Sequence, residues 1–328
     1  MLDLLILLIV INIIIVFVAA LLFVNTIEYI GFKFKLSSSF VGAILSPLFT
    51  SFPEMVIFLV AILVVREEKI GIGAILGQPF MASSLSYGLV GIAAIFGYYL
   101  KKRKDLVFYV DRSLVIPYVF VTSLLPLTLV PDLIGFNKLF GVILLFSYFY
   151  YFKLMYQKGS VEIETIEDAN DIYAFKLIPN KMVATIIQLI FSVILLYIGS
   201  KELVYSVKEL ALTLGVSEMG LALIIVPAAT AIPETSTAII WGFRGKSTLS
   251  MASLVGEKVL YSTFYPSLGL FLTSWDLDHH AYMCVGATIV ISLILLYYIV
   301  KQRVPVYALM FGFIFFVSYV ILVFVFHC

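Results

Sequence analysis

Residues 1–24 carry one charged side chain, Asp3, and windows of the same apolar character return along the chain as far as residue 326. About 20 apolar residues in helical form span roughly 30 Å of hydrocarbon, so each window can cross a bilayer. Of the 328 residues, 62% are hydrophobic and 12% charged, more apolar surface than a soluble domain of this length can hide. A bilayer offers no water to backbone N–H and C=O groups, which leaves helix as the form for windows of this length. The sequence thus predicts an all-α integral membrane protein of about ten transmembrane helices, over 1–24, 38–65, 70–100, 106–130, 137–157, 182–205, 214–242, 247–275, 281–300 and 304–326. The first window lacks a basic leader and is too long for a signal core, so it reads as a mature helix.

Charge sorts the loops. Fourteen of the 21 basic residues fall at alternate loops that include Lys33, Lys101–Lys104, Lys153, Arg244, Lys246, Lys301 and Arg303, and five fall at the others: Arg66, Lys69, Lys138, Lys201 and Lys208. Basic residues concentrate on the cytoplasmic side, which predicts a multi-pass protein of the cell membrane with both termini extracytoplasmic. The two cysteines, Cys284 and Cys328, stand in apolar context and suggest neither a disulfide framework nor a zinc site. The one long polar stretch, 158–181, has five acids against three lysines and reads as a solvated cytoplasmic linker between five windows and five.

That linker divides a repeat. "SPLFTSFPEM" (46–55) returns as "VPAATAIPET" (226–235), so that Pro47, Thr50, Pro53 and Glu54 reappear as Pro227, Thr230, Pro233 and Glu234. "GAILGQPF" (73–80) is echoed by "ASLVGEKV" (252–259). An odd number of windows per half puts the second half into the membrane in the opposite sense. Two inverted-topology five-helix repeats, 1–157 and 182–328, with interrupted helices are the pattern of secondary transporters with a midplane site. A proline leaves the carbonyl four residues before it without its helical donor, so Pro53 frees Phe49 and Pro233 frees Ala229. With Thr50, Ser51, Glu54, Thr230 and Glu234, these carbonyls make a set of hard oxygen donors suited to Ca²⁺ or Na⁺. Intramembrane carboxylates are costly and mark ion pathways, which makes Glu54 and Glu234 the candidate metal ligands.

At these residues the chain resembles the cation/calcium antiporters, which include sodium/calcium and proton/calcium exchangers. Their α-repeats read G-T-S-x-P-E and then G-S-N-x-x-N/D; here the first motif is F-T-S-F-P-E (49–54) and A-T-A-I-P-E (229–234). The approach "GSKELVYSVKELALTLGVSEMGLALII" (199–225) is also similar to the family's. The resemblance implies cation antiport by alternating access, calcium or a related cation against sodium or protons, with no cofactor beyond the transported ions. It implies central ligands at Glu54 and Glu234, with Thr50, Ser51 and Thr230 supplying further oxygens. The bilayer and inorganic cations are the partners, nucleic acid is not, and the oligomeric state is left open.

The departures from the pattern are themselves candidates. Phe49 and Ala229 stand where the family has glycine, Gln78 and Pro79 where it has Ser-Asn, and Ala82 where it has the last amide or acid ligand. In the second half Glu257, Lys258 and Tyr261 take those places, with Ser83 and Ser262 one residue beyond. Lys258 is expected to face the cavity with Glu54, Glu234 and Glu257. Two other readings stay open: a member that moves another substrate, and a non-transporting membrane scaffold or regulator. Gly73-x-x-x-Gly77 predicts close helix packing, "DLDHH" (276–280) a solvated connector, and Asp111–Arg112 a pair snorkelling at an interface. No HExxH, nucleophile elbow or P-loop is present, which removes support for an intramembrane enzyme or an ATP-driven pump.

Overall fold

The computed structural model describes residues 2–33, 51–157, 172–176, 178 and 180–325. After α1 (Leu2–Lys33), helix α2 (Phe52–Leu59) runs on through a wide π-helical turn, Val60–Val65. Helix α3 (Glu68–Met81), a second π-helical turn (Ala82–Ser86) and α4 (Tyr87–Tyr99) make one 32-residue span. Strand β1 (Val107–Tyr109), α5 (Val115–Leu124), α6 (Val130–Ile134) and α7 (Asn137–Gln157) follow. The later residues form α8 (Lys181–Leu214), α9 (Glu218–Thr230), α10 (Ile232–Phe243), α11 (Ser247–Ser262) and α12 (Phe264–Leu272). The last elements are α13 (His279–Val300), β2 (Arg303–Pro305) and α14 (Val306–Val325).

Among the described residues seven helical stretches are long and apolar enough to cross a membrane, and eight when α9 and α10, bent by 63°, count as one. Helices underlie the windows at 1–24, 70–100, 137–157, 182–205, 281–300 and 304–326, while the window at 106–130 holds β1, two 3-10 turns and α5, and the ten expected crossings are not all seen among the described residues. Residues 34–50 lie outside the described residues, so the second window is seen only from Ser51 onward. The windows at 214–242 and 247–275 are each two helices, broken at Ala231 and at Thr263. Most of the expected linker, 158–171, also lies outside the described residues.

The two longest helices pack along their length. Asn12 Nδ2 donates to Ser206 Oγ at 3.2 Å, and Gln188 Nε2 to Asn25 Oδ1 at 2.9 Å and Thr26 Oγ1 at 3.0 Å, so α1 and α8 run antiparallel. Interhelical side-chain hydrogen bonds of this kind contribute about 0.6 kcal/mol each in a membrane. The C-terminus of α8 is closed by Gly215 at φ 69°, whose N–H reaches the Ala211 carbonyl, the left-handed stop that glycine adopts without a Cβ penalty.

The helices meet in two end regions. At one end Arg103 donates to the carbonyls of Gly242, Asp105 and Val107, and β1 pairs antiparallel with β2, Phe108 opposite Val304. That joins the loops at 100–107, 244–246 and 301–305. At the other end Lys208 Nζ contacts Glu67 Oε1 at 2.5 Å, Ser274 donates to Glu68, and Ser217 bonds Asp278. Asp278 caps α13, accepting from His280 N and Ala281 N, and His280 is fully buried. "DLDHH" is therefore a capped helix start with a buried imidazole; only part of it is a solvated connector. Asp111 likewise caps a short 3-10 turn, accepting from Ser113 N at 2.7 Å.

Between the ends α3 crosses α9. A Cβ on Gly73 would lie 2.8 Å from Ala222 Cβ, and one on Gly77 would lie 2.5 Å from Leu223 O and 2.7 Å from Pro227 Cγ. The two glycines let the helices touch backbone to backbone, as the spacing predicts. Gly77 fits the place where Pro227 lies inside α9.

Candidate cation site

The first motif opens a helix. Ser51 is the N-cap of α2 and Pro53 stands at its start, where a missing N–H costs nothing because the first helical donors have no partners in any case. Glu54 falls in the first turn, the end of a helix that favours a negative charge. The second motif behaves alike: Thr230 closes α9, the Ala231 N–H returns to the Pro227 carbonyl at 2.9 Å, and Pro233 stands at the start of α10. The prolines thus separate helical segments. A carboxylate follows each in the first turn of the new segment.

Gln78 brings the two motifs together. Its Nε2 donates to Glu54 Oε1 at 3.2 Å and to Thr230 Oγ1 at 2.7 Å. Glu54 is 5% exposed, Gln78 4% and Thr230 3%. Thr230 passes its own proton to the Val226 carbonyl at 3.2 Å, so its oxygen is turned toward the amide. Gln78 lies ten residues into α3, or about 15 Å from its start, and Thr230 twelve residues into α9, or about 18 Å.

A tyrosine borders this group. Ser51 and Tyr265 are joined twice: their hydroxyls are 2.8 Å apart, and Tyr265 Oη donates to the Ser51 carbonyl at 2.8 Å. Tyr265 stacks on Tyr261 with ring centroids 4.6 Å apart. The aromatic pair therefore flanks the start of α2, and Tyr261, expected at a ligand place, is here as a stacked ring. Ser86 and Thr235, linked at 2.7 Å, tie the π-helical turn of the α3–α4 span to α10 one residue after Glu234. Neither Tyr265 nor the Ser86–Thr235 pair was expected. Each is a meeting of distant residues, and the usable signal is that Tyr261 and Tyr265 lie four apart, on either side of the break at Thr263.

The other candidates are placed as follows. Phe49 and Thr50 lie outside the described residues, as does the Glu234 side chain, although Glu234 belongs to α10. Ala229 is buried at the end of α9, and Ala82 at the start of the second π-helical turn. The Ser83 hydroxyl is buried without a hydrogen-bond partner among the described residues. Ser262 donates to the Lys258 carbonyl at 2.6 Å, which keeps its hydroxyl on its own helix. Glu257 is half-buried on α11. Lys258 is buried, and its Nζ donates to Ser292 on α13 at 2.8 Å rather than to Glu54 or Gln78.

The family model for the sodium/calcium exchanger protein matches residues 4–157 and 184–327. This chain belongs to that family. Among relatives, an uncharacterized membrane protein of Methanocaldococcus jannaschii is 24% identical over 237 residues, 72% of each chain. Among solved structures, the H⁺/Ca²⁺ exchanger CAX is similar with a TM-score of 0.75 and 18% identity, over 96% of this chain and 82% of that one. The sodium-calcium exchanger NCX_Mj is similar with a TM-score of 0.57 and 18% identity, over 98% of this chain and 99% of that one. At such identities the likeness of exchanger-family structures shows the fold. The oxygen-rich, buried group around Gln78 sits on that fold.

Proposed function

We propose that this exchanger-family protein is a secondary active antiporter that moves calcium, or a related cation, against sodium or protons by alternating access. In this reading ten membrane-crossing helices form two inverted repeats, 1–157 and 182–328, joined by a cytoplasmic linker at 158–181, in a cell membrane with both termini outside. What supports the reading is the Gln78 amide, donating at once to the carboxylate of the first motif and the hydroxyl of the second in a buried place. Carboxylate, hydroxyl and amide oxygens suit hard cations such as Ca²⁺ and Na⁺. The two N–H groups of Gln78 occupy the oxygens that a cation would take. Turning the amide by half a rotation replaces both donors with Oε1 and leaves three oxygens, from Glu54, Gln78 and Thr230, facing the ion. On the sequence pattern, Thr50, Ser51 and the carbonyls of Phe49 and Ala229 are the further proposed ligands, with Glu234 as the second carboxylate. Two acids are balanced by one divalent ion or by two monovalent ions or protons, which sets up exchange between them.

The test is ion flux in proteoliposomes. Glu54→Gln keeps shape and removes one charge, so cation-driven Ca²⁺ uptake should fall to the background of empty vesicles, and Glu234→Gln should do the same. Wild-type uptake in both variants would place the site elsewhere. Absence of any cation-driven flux in the wild-type protein would favour a scaffold or another substrate.

A further inference from the structure

A second polar group lies inside the bundle with none of the partners of the Gln78 site. Lys258 on α11 is 1% exposed. Its Nζ donates to Ser292 Oγ on α13 at 2.8 Å and stands 5.1 Å from the ring centroid of Tyr118 on α5 and 5.7 Å from that of Tyr87 on α4. The phenols are fixed by a chain of their own. Tyr118 Oη donates to Tyr87 Oη at 2.6 Å, and Tyr87 Oη donates to the Met251 carbonyl at 3.2 Å, two turns before Lys258 on the same helix. Both hydroxyl protons are thereby used, and the rings are held with Nζ within range of their π systems. Around them Leu254, Val255, Ile291 and Leu295 are buried. Among the described residues no carboxylate is within ion-pair distance of Nζ.

Buried charges ordinarily sit against an opposite charge. Here the surroundings are those of an organic-cation pocket instead: two aromatic rings within about 6 Å and one hydroxyl acceptor, the arrangement that binds ammonium groups without an anion. Four helices supply it, so the pocket exists only when α4, α5, α11 and α13 are assembled. We propose that Lys258 is a tethered cation filling a monovalent-cation site formed by Tyr87, Tyr118 and Ser292, and that with the side chain shortened this site takes a primary alkylammonium ion from solution. The proposal stands apart from the antiport reading, because it concerns neither Glu54 nor Gln78 and its test measures no transport.

The experiment is thermal unfolding of the purified protein and of Lys258→Ala in detergent, titrated with methyl-, ethyl-, n-propyl- and n-hexylammonium chloride, with 1-propanol and NaCl as controls. The expected result is a lowered Tm in Lys258→Ala, most of it regained saturably and best with ethyl- or n-propylammonium, while the wild-type Tm stays flat. Recovery by 1-propanol equal to that by n-propylammonium would show a hole that any apolar chain fills, and would overturn the proposal. So would an equal response of the wild-type protein. If Lys258→Ala does not fold, position 118 of the wild-type chain carries the test, through phenylalanine bearing zero to three ring fluorines. A cation resting on that ring predicts a stepwise fall of Tm with each fluorine, whereas a flat series means that the amine is not held there as a cation.

Discussion

At the scale of single residues the question is whether Gln78 competes with the ion or coordinates it. In the first role Gln78→Leu frees Glu54 and Thr230 and tightens cation binding; in the second it removes a ligand. The half-rotation argued above requires coordination, so Gln78→Leu should raise the half-saturating Ca²⁺ concentration at least tenfold, or about 1.4 kcal/mol. Ca²⁺-dependent thermal shift of the variant checks it, and a tighter variant would mean that the amide is only a competitor. Tyr265→Phe should be milder. It removes both links to Ser51, whose carbonyl still receives the Met55 N–H, so the loss is of the order of one to two hydrogen bonds, about 1–2 kcal/mol in unfolding experiments. Gln78 was legible in the sequence because it breaks a repeated pattern at a known place. Tyr265 was not, because nothing local joins it to Ser51, 214 residues away.

At the scale of elements, the crossing of α3 and α9 and the hold on α10 can be tested separately. Gly77→Val places carbon against the Leu223 carbonyl and the Pro227 ring, at contacts of 2.5 and 2.7 Å for the first atom alone. Overpacking of this kind costs about 1–3 kcal/mol. Gly256→Ala on α11, where nothing lies within 4 Å, should be neutral or slightly stabilising. Equal losses of monodisperse protein for both variants in size-exclusion chromatography would mean that the crossing is not as tight as described. Arg103 holds the end of α10 through the Gly242 carbonyl at 2.8 Å while its guanidinium lies 4.2 Å from the Phe108 ring centre. Arg103→Ala should therefore speed amide exchange in the last turn of α10 and leave the α1–α8 pair unchanged. Element positions were readable from hydropathy because every long helix has an apolar window under it. The break at Ala231 was readable from Pro233, which frees the Ala229 carbonyl; the break at Thr263 and the two π-helical turns were not, since a window average does not register where one residue leaves the helical ladder.

At the scale of the whole molecule the structure gives the charge rule something to act on. The loops carrying Lys101–Lys104, Arg244, Lys246, Lys301 and Arg303 gather at the end held by Arg103 and the β1–β2 pair. Arg66, Lys69 and Lys208 gather at the opposite end, beside Glu67 and Glu68. The Asn12–Ser206 bond puts the start of α1 near the end of α8, and Tyr319 reaches the Gly220 carbonyl near the start of α9. Leu2 and Val325 are therefore both directed toward the Glu67 end. Positive residues are retained on the cytoplasmic side, so the Arg103 end should face the cytoplasm and both ends of the described chain the exterior. A background with Cys284→Ser and Cys328→Ser allows single cysteines to report the side, with Lys104→Cys at one end and Asp276→Cys at the other, both exposed positions. A membrane-impermeant maleimide should label Asp276→Cys in right-side-out vesicles and Lys104→Cys only in inverted ones. The reverse pattern would mean that the chain inserts against its charge bias. Labelling of both from one side would mean that these ends are not on opposite faces, and the bundle would have to be oriented anew.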